Sequence, residues 1–177
     1  MAQALQAVRE AVVDGRMHNV ICRQLQLESL QRTLFEHADA IEEAISTDSG
    51  HSANEASIEY LLAMNNLNAH YRSLDSNAAL KDEYAAVRNE DRETRHEPFG
   101  IVYIVPTSYT FFYSVIVAVS AAIASGNCVV IEVYQLHLSF YGTNDTNGNG
   151  LLCSYRIPCR QCQLYSENSS NRALTTV

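Results

Sequence analysis

From Ile101 to Ile131 the chain carries no charged residue. An uncharged stretch of this kind must be buried by other parts of a fold or cross a membrane. The membrane alternative fails on length. Its best apolar run, Phe111 to Ala124, has 14 residues, against the roughly 20 that a span needs. Pro106 to Thr110 and Ser125-Gly126-Asn127 also bound that run with polar groups. The stretch therefore reads as the inside of a fold that the remaining residues must cover.

Within it, Ile101-Val102-Tyr103-Ile104-Val105 is a short β-rich run between Gly100 and Pro106. Phe111 to Ala124 reads as an apolar helix, closed by Ser125-Gly126-Asn127. Cys128 to Ile131 reads as a second strand. Strand, crossover helix and strand form a βαβ unit. Strands apolar on both faces belong in a parallel sheet covered by helices, and two such strands do not make a stable sheet alone.

The flanking regions differ sharply. Residues 1–97 hold 17 of the 20 acidic residues and no proline. Ala4, Leu5, Val8 and Val12 recur at spacings of three and four, and Asp14-Gly15 marks a stop. Leu27, Leu30, Leu34, Ala38, Ile41 and Ile45 form the next stripe, stopped at Ser49-Gly50. Ser52 and Glu55 fit a capping box. Ile58, Leu61, Leu62, Met64, Leu67, Tyr71 and Leu74 follow on roughly one face. Beyond Val133 the periodicity ends, and the residues turn to Gly, Asn, Ser and Thr. The expected fold class is α/β with three parts. Residues 1–97 are a helical N-terminal region, 98–133 a partial βαβ unit, and 134–177 a polar tail with little fixed structure from about residue 140.

Two blocks carry a family resemblance. Arg95-His96-Glu97-Pro98-Phe99-Gly100-Ile101-Val102 resembles the "R-x-E-P-x-G-V-V" opening of aldehyde dehydrogenases. Ser120-Ala121-Ala122-Ile123-Ala124-Ser125-Gly126-Asn127-Cys128-Val129-Val130 resembles their "G-A-x-A-A-G-N-x-V-V". Arg23, Gln24, Leu25, Leu30, Ala44, Asp48 and Gly50 match the family's N-terminal helices, and the resemblance covers about residues 1–133. It implies that the βαβ unit opens an NAD(P)-binding domain of Rossmann-like type. The turn after the first strand would face the nicotinamide end, and residues after the second strand would hold the adenosine ribose.

The family's "P-W-N" is absent from that turn, whose asparagine stabilises an oxyanion. Counted back without gaps from Gly126, Tyr109 takes the asparagine's place; with one gap, Ser108 does. Glu132 stands where the family has a ribose-binding lysine. Its carboxylate can accept from ribose hydroxyls and repels a 2′-phosphate, so NAD is favoured over NADP. Ser108, Tyr109 and Glu132 are thus the candidate cofactor-binding residues. The family's later "E-L-G-G" and cysteine blocks, which supply base and nucleophile, do not occur in this chain, so no residue here is a candidate for catalysis.

Cys22 and Cys128 read as small core residues. Cys153, Cys159 and Cys162 form C-x5-C-x2-C, with His137 nearest as a fourth ligand, but a second close ligand pair is missing, so no metal is expected. A net charge of −8 and a single lysine argue against nucleic acid and anionic membrane partners. The first residues lack the pattern of an export signal, so a cytoplasmic location with reduced thiols is expected. Two functions follow. One is an aldehyde dehydrogenase-type oxidoreductase without its catalytic half. The other is a non-catalytic helical module that associates with itself or with a full-length relative.

Overall fold

A computed structural model describes residues 2–85, 87–90, 97–134, 162–168 and 171–176. The helices are α1 (Ala2–Val13), α2 (Val20–Glu36), α3 (Ala38–Ser49), α4 (Ala53–Ser73), α5 (Ser76–Glu83) and α6 (Phe111–Ala124), with a 3-10 turn at Arg16–His18. The strands are β1 (Ile101–Ile104), β2 (Cys128–Tyr134), β3 (Cys162–Asn168) and β4 (Asn171–Thr176).

Local chemistry sets most helix ends. α1 stops before Gly15 and α3 before Gly50, both left-handed at φ +63° and +68°, where a side chain would be strained. Ser52 accepts from the Glu55 N–H, and the Glu55 carboxylate returns to the Ser52 N–H at 2.9 Å, completing the expected box. Asp75 caps α5 by accepting from Asn77 and Ala78. The stripe from Leu27 to Ile45 is buried as expected, Ala38 partly. It spans two helices, however, because His37 leaves helical geometry at φ −119° and ψ 24°.

α4 differs from the sequence expectation in its buried face. Ile58, Leu61 and Leu62 are exposed. The buried face is Ala56, Glu59, Tyr60, Ala63 and Leu67, again at helical spacing. α4 packs against α6, and alanines at that contact let the two axes approach closely. α6 is apolar around its circumference, as a largely enclosed helix must be, with only Ala121 exposed. Phe112, Val115, Ile116, Val119, Ser120 and Ile123 are all buried. Tyr60 stacks on Phe112 at 6.0 Å between ring centres.

α6 joins β1 to β2, which pair in parallel from Ile101↔Cys128 to Ile104↔Ile131. Cys128, Val129, Val130 and Ile131 are all buried, with α1 and α6 both against β2. β1 departs from the two-sided burial expected of it. Ile104 is buried and Val102 packs on the core, whereas Phe99, Ile101, Tyr103 and Val105 are exposed. β1 ends the sheet order β1-β2-β3-β4, so among the described strands it has β2 on one side only.

Two further strands fall within the polar region after residue 133. β3 lies parallel to β2, from Val129↔Cys162 to Tyr134↔Glu167, and β4 runs antiparallel to β3. Main-chain hydrogen bonding explains how such polar residues join a sheet: an open strand edge pairs with backbone whatever the side chains. Residues 135–161 lie outside the described residues, so the expectation there stays open. No described helix is long and apolar enough to cross a membrane.

Candidate functional site

The two blocks that carry the resemblance meet in space. The Asn127 side-chain oxygen accepts from the Gly100 N–H at 3.0 Å, and the Cys128 N–H donates to the Gly100 carbonyl at 2.8 Å. Asn127 is buried, and its amide nitrogen donates to the Ser125 hydroxyl at 2.8 Å. Gly126 has φ +84°, and a Cβ there would lie 3.1 Å from the Met17 carbonyl oxygen. Glycine is needed for both conformation and approach. This clamp ties the starts of β1 and β2 together, so it is structural. The ligand edge of a parallel sheet lies at the other end, beyond the strands' carboxyl termini.

At that end, Val105 to Thr110 turn the chain from β1 into α6. Ser108 and Tyr109 are exposed side by side. The Tyr109 carbonyl accepts from the hydroxyls of Thr107 (2.5 Å) and Thr110 (2.7 Å), which stiffens the turn. Thr110 sits in the left-handed region at φ +49° and caps α6 with no side-chain bond. The cap comes instead from α4. The Glu59 carboxylate, in a residue 6% exposed, accepts from the Tyr113 N–H at 3.0 Å. Its second oxygen lies 3.9 Å from His51 Nδ1. The His51 ring meets Tyr109 edge-on at 5.9 Å. Glu59 and His51 thereby connect the helical layer to the candidate turn.

The opposite end of α6 is held the same way. Arg23 donates through Nη1 to the Ala124 carbonyl at 2.9 Å and through Nη2 to the His18 carbonyl at 2.8 Å. Burial pushes its guanidinium below its ordinary value. A carboxylate at the N-terminus and a guanidinium at the C-terminus complement the helix dipole at both ends. Between them, His70 Nδ1 and the buried Ser120 hydroxyl lie 2.8 Å apart.

The structure brings Ser108 and Tyr109 together on one turn. Glu132 lies in the later part of β2, paired with Tyr165; its side chain is outside the description. Cys128 is buried and Cys22 half-buried, in line with core roles. Cys153, Cys159 and His137 lie outside the described residues, and Cys162 opens β3. Among the described residues no three His, Cys, Asp or Glu gather to hold a metal. Sequence reasoning passed over Glu59 and His51. The sequence carried no signal for them, since Thr110 is itself a favoured N-cap type and only the structure shows that it makes no cap bond.

Comparison with known proteins follows the same lines. Residues 1–136 match the model of the aldehyde dehydrogenase family. The chain is 36% identical over 141 residues to aldehyde dehydrogenase family 3 member B1 of Bos taurus, covering 76% of this chain and 30% of that protein. It is 34% identical over 138 residues to the Mus musculus counterpart, covering 75% and 29%. It thus spans about 30% of the length of these relatives. Among solved structures, a substrate-bound Staphylococcus aureus AldH superposes over 96% of this chain and 36% of its own, with TM-score 0.63 and 18% identity. An NAD-dependent benzaldehyde dehydrogenase from Corynebacterium glutamicum superposes over 94% and 36%, with TM-score 0.53 and 18% identity.

Proposed function

This chain belongs to the aldehyde dehydrogenase family, and we propose that its β1–α6–β2 unit forms one wall of a coenzyme site in NAD-dependent oxidation of an aldehyde to a carboxylic acid. The observation that carries this reading is the exposed, stiffened turn at the carboxyl end of β1, where Ser108 and Tyr109 stand together. An exposed hydroxyl and phenol there can meet the nicotinamide end of a dinucleotide. Bound coenzyme would supply the hydride acceptor. Glu59 fixes the start of α6 and with it the turn that meets that end, while Glu132 on β2 is the candidate for the adenosine ribose. The thiolate and base that aldehyde oxidation requires have no counterpart in this sequence, so these 177 residues alone do not turn over.

Two measurements test this. The purified chain, with NAD or NADP and short, long or aromatic aldehydes, should reduce no coenzyme above a heat-killed control; clear reduction overturns the claim of inactivity. A chimera should carry residues 1–134 of this chain in place of the matching part of the Bos taurus relative. It should bind NAD and oxidise aldehyde slowly, and Tyr109→Asn should raise its rate by about 10²-fold, the scale of one oxyanion donor. A chimera that folds and binds no NAD rejects the coenzyme role.

A second reading rests on β1. Ile101 on β1, with Phe99 before the strand and Val105 after it, is an exposed apolar residue at the end of the sheet among the described strands. No charge lies within the strand to discourage edge pairing. We propose that a second copy of this chain pairs there, making the chain a non-catalytic association module. Light scattering at micromolar concentration decides, with Ile101→Lys expected to shift oligomer toward monomer. A monodisperse wild-type monomer ends this reading.

A further inference from the structure

Two polar atoms near the start of α6 face each other without a partner. Glu59 Oε2 and His51 Nδ1 are both buried and make no hydrogen bond. They lie 3.9 Å apart, about 1 Å beyond the reach of a charge-assisted bond. Glu59 is the one buried carboxylate among the described residues. Its other oxygen is engaged, accepting from the Tyr113 N–H at 3.0 Å. A bare oxygen on a buried carboxylate is costly, so the contact that heads α6 is half complete. His51 is placed to complete it. Its backbone is fixed between α3 and α4, where its carbonyl accepts from the Ser46 hydroxyl at 2.8 Å. Its side chain is 22% exposed, so a proton can reach the ring. A charged imidazole always carries a donor on Nδ1, whereas a neutral one does so in only one of its two tautomers.

We propose that His51 is a proton-operated latch on α6: when charged, its ring closes onto Glu59 Oε2 and fixes the carboxylate against the first turn of the helix. When neutral, the ring loses its charge and leaves that oxygen bare. Protonation of His51 therefore stabilises the buried position of Glu59 while Glu59 is ionised. That stabilisation is present at the acid end of the imidazole range and is lost as pH rises through it. The same ring meets Tyr109 edge-on at 5.9 Å, so its movement also reaches the turn before α6. The other groups around His51 do not replace Glu59. Glu55 is already engaged: its carboxyl is held low first by the Ser52 N–H and hydroxyl, and least by the charge of His51. Tyr109 meets His51 through its ring. On α3, the Glu42 carboxylate accepts from the Ser57 hydroxyl at 2.5 Å. The latch needs no ligand and stands apart from the coenzyme reading.

The test uses the whole chain, labelled with 15N and 13C, and NMR from about pH 5 to 8, where imidazole changes charge. The Tyr113 amide shift should follow the titration of the His51 ring. Its hydrogen exchange, corrected for the intrinsic rate, should be about threefold more protected at the acid end. His51→Phe keeps a ring against Tyr109 but has no nitrogen to charge, and should abolish both effects. Glu59→Gln keeps an acceptor for the Tyr113 N–H and removes the charge, so His51 should still titrate while Tyr113 no longer follows. Asp48→Asn and Glu55→Gln remove the other carboxylates within four residues of His51 and should leave Tyr113 following His51. A wild-type Tyr113 amide that ignores the His51 titration overturns the proposal, and so does a response that survives in His51→Phe or in Glu59→Gln. Circular dichroism establishes folding. If His51→Phe unfolds, His51→Gln serves, with the same loss expected and a surviving response again decisive against the latch.

Discussion

The helical layer before residue 90 carries charge and leaves most of it in water, whereas Ile101 to Ile131 carries none and is largely enclosed. The surface pairs Arg16–Asp14 and Arg88–Glu90 of the first region are exposed on both sides, where such pairs add little. Its two consequential charges are those that leave the surface. Glu59 and Arg23 reach the two ends of α6. The difference teaches that the uncharged helix does not stand alone electrostatically: its dipole is completed by residues from another part of the chain. The βαβ unit and the helical layer therefore fold as one body around α6, with a common core running from Val8 through Leu67 to Ile131.

Three changes would break or sharpen this contrast. The largest effect is expected from Phe112→Ala, which empties the contact between α6 and Tyr60. Large-to-small changes at buried aromatics cost about 3–5 kcal/mol, so chemical denaturation should show the whole chain losing stability together. Loss confined to the βαβ unit would mean the two regions are separate bodies. Next, Arg23→Ala removes two charge-assisted bonds to the carbonyls of Ala124 and His18 and should cost about 1–2 kcal/mol. Arg23→Lys should recover only part of this, because an ammonium lacks the fork that reaches both carbonyls. Full recovery would show that charge alone, without geometry, caps α6.

The smallest effect belongs to the surface. The Ser52 N–H, and next the Ser52 hydroxyl, hold the Glu55 carboxyl below the usual carboxylate range. That stabilisation is fully present above the ordinary carboxylate value and is lost as pH falls through the depressed one. Hydrogen exchange at the first-turn amides of α4 should therefore accelerate as pH falls through that window, beyond the intrinsic trend. Glu55→Gln should flatten the response, and an unchanged profile would deny the box any role in solution. A local event at α4's start should leave α6 untouched, in contrast to the Phe112 and Arg23 variants.

Legibility tracked how local each cause was. The stops at Gly15 and Gly50 and the Ser52–Glu55 box could be read because each acts within four residues. The candidate turn was legible because Gly100, Pro106 and the apolar helix beyond it bound a short polar interval. The resemblance was legible through Gly100, Gly126 and Asn127, yet these form the clamp at the strand starts rather than the ligand edge. At the ligand edge the sequence departs from its family, with Tyr109 or Ser108 in the asparagine's place and Glu132 in the lysine's. The residues that hold that edge, His51 and Glu59, lie too far back in the chain for any spacing rule to find.

By itself, then, the sequence determined where helices start and stop, that an uncharged βαβ unit needs cover, and which short turn joins its first strand to its helix. Propensity, capping and periodicity act over a few residues, and those interactions survive in any tertiary setting. The tertiary structure alone decided that α4 buries its alanines and Glu59 rather than Ile58, Leu61 and Leu62, because only the close approach of α6 makes small residues the better contact. It also decided that β1 is covered on one face, and that polar residues after 161 extend the sheet from β2. Both outcomes depend on which backbone edges and surfaces come to lie near one another, and pairing between distant segments leaves no mark on the periodicity of either.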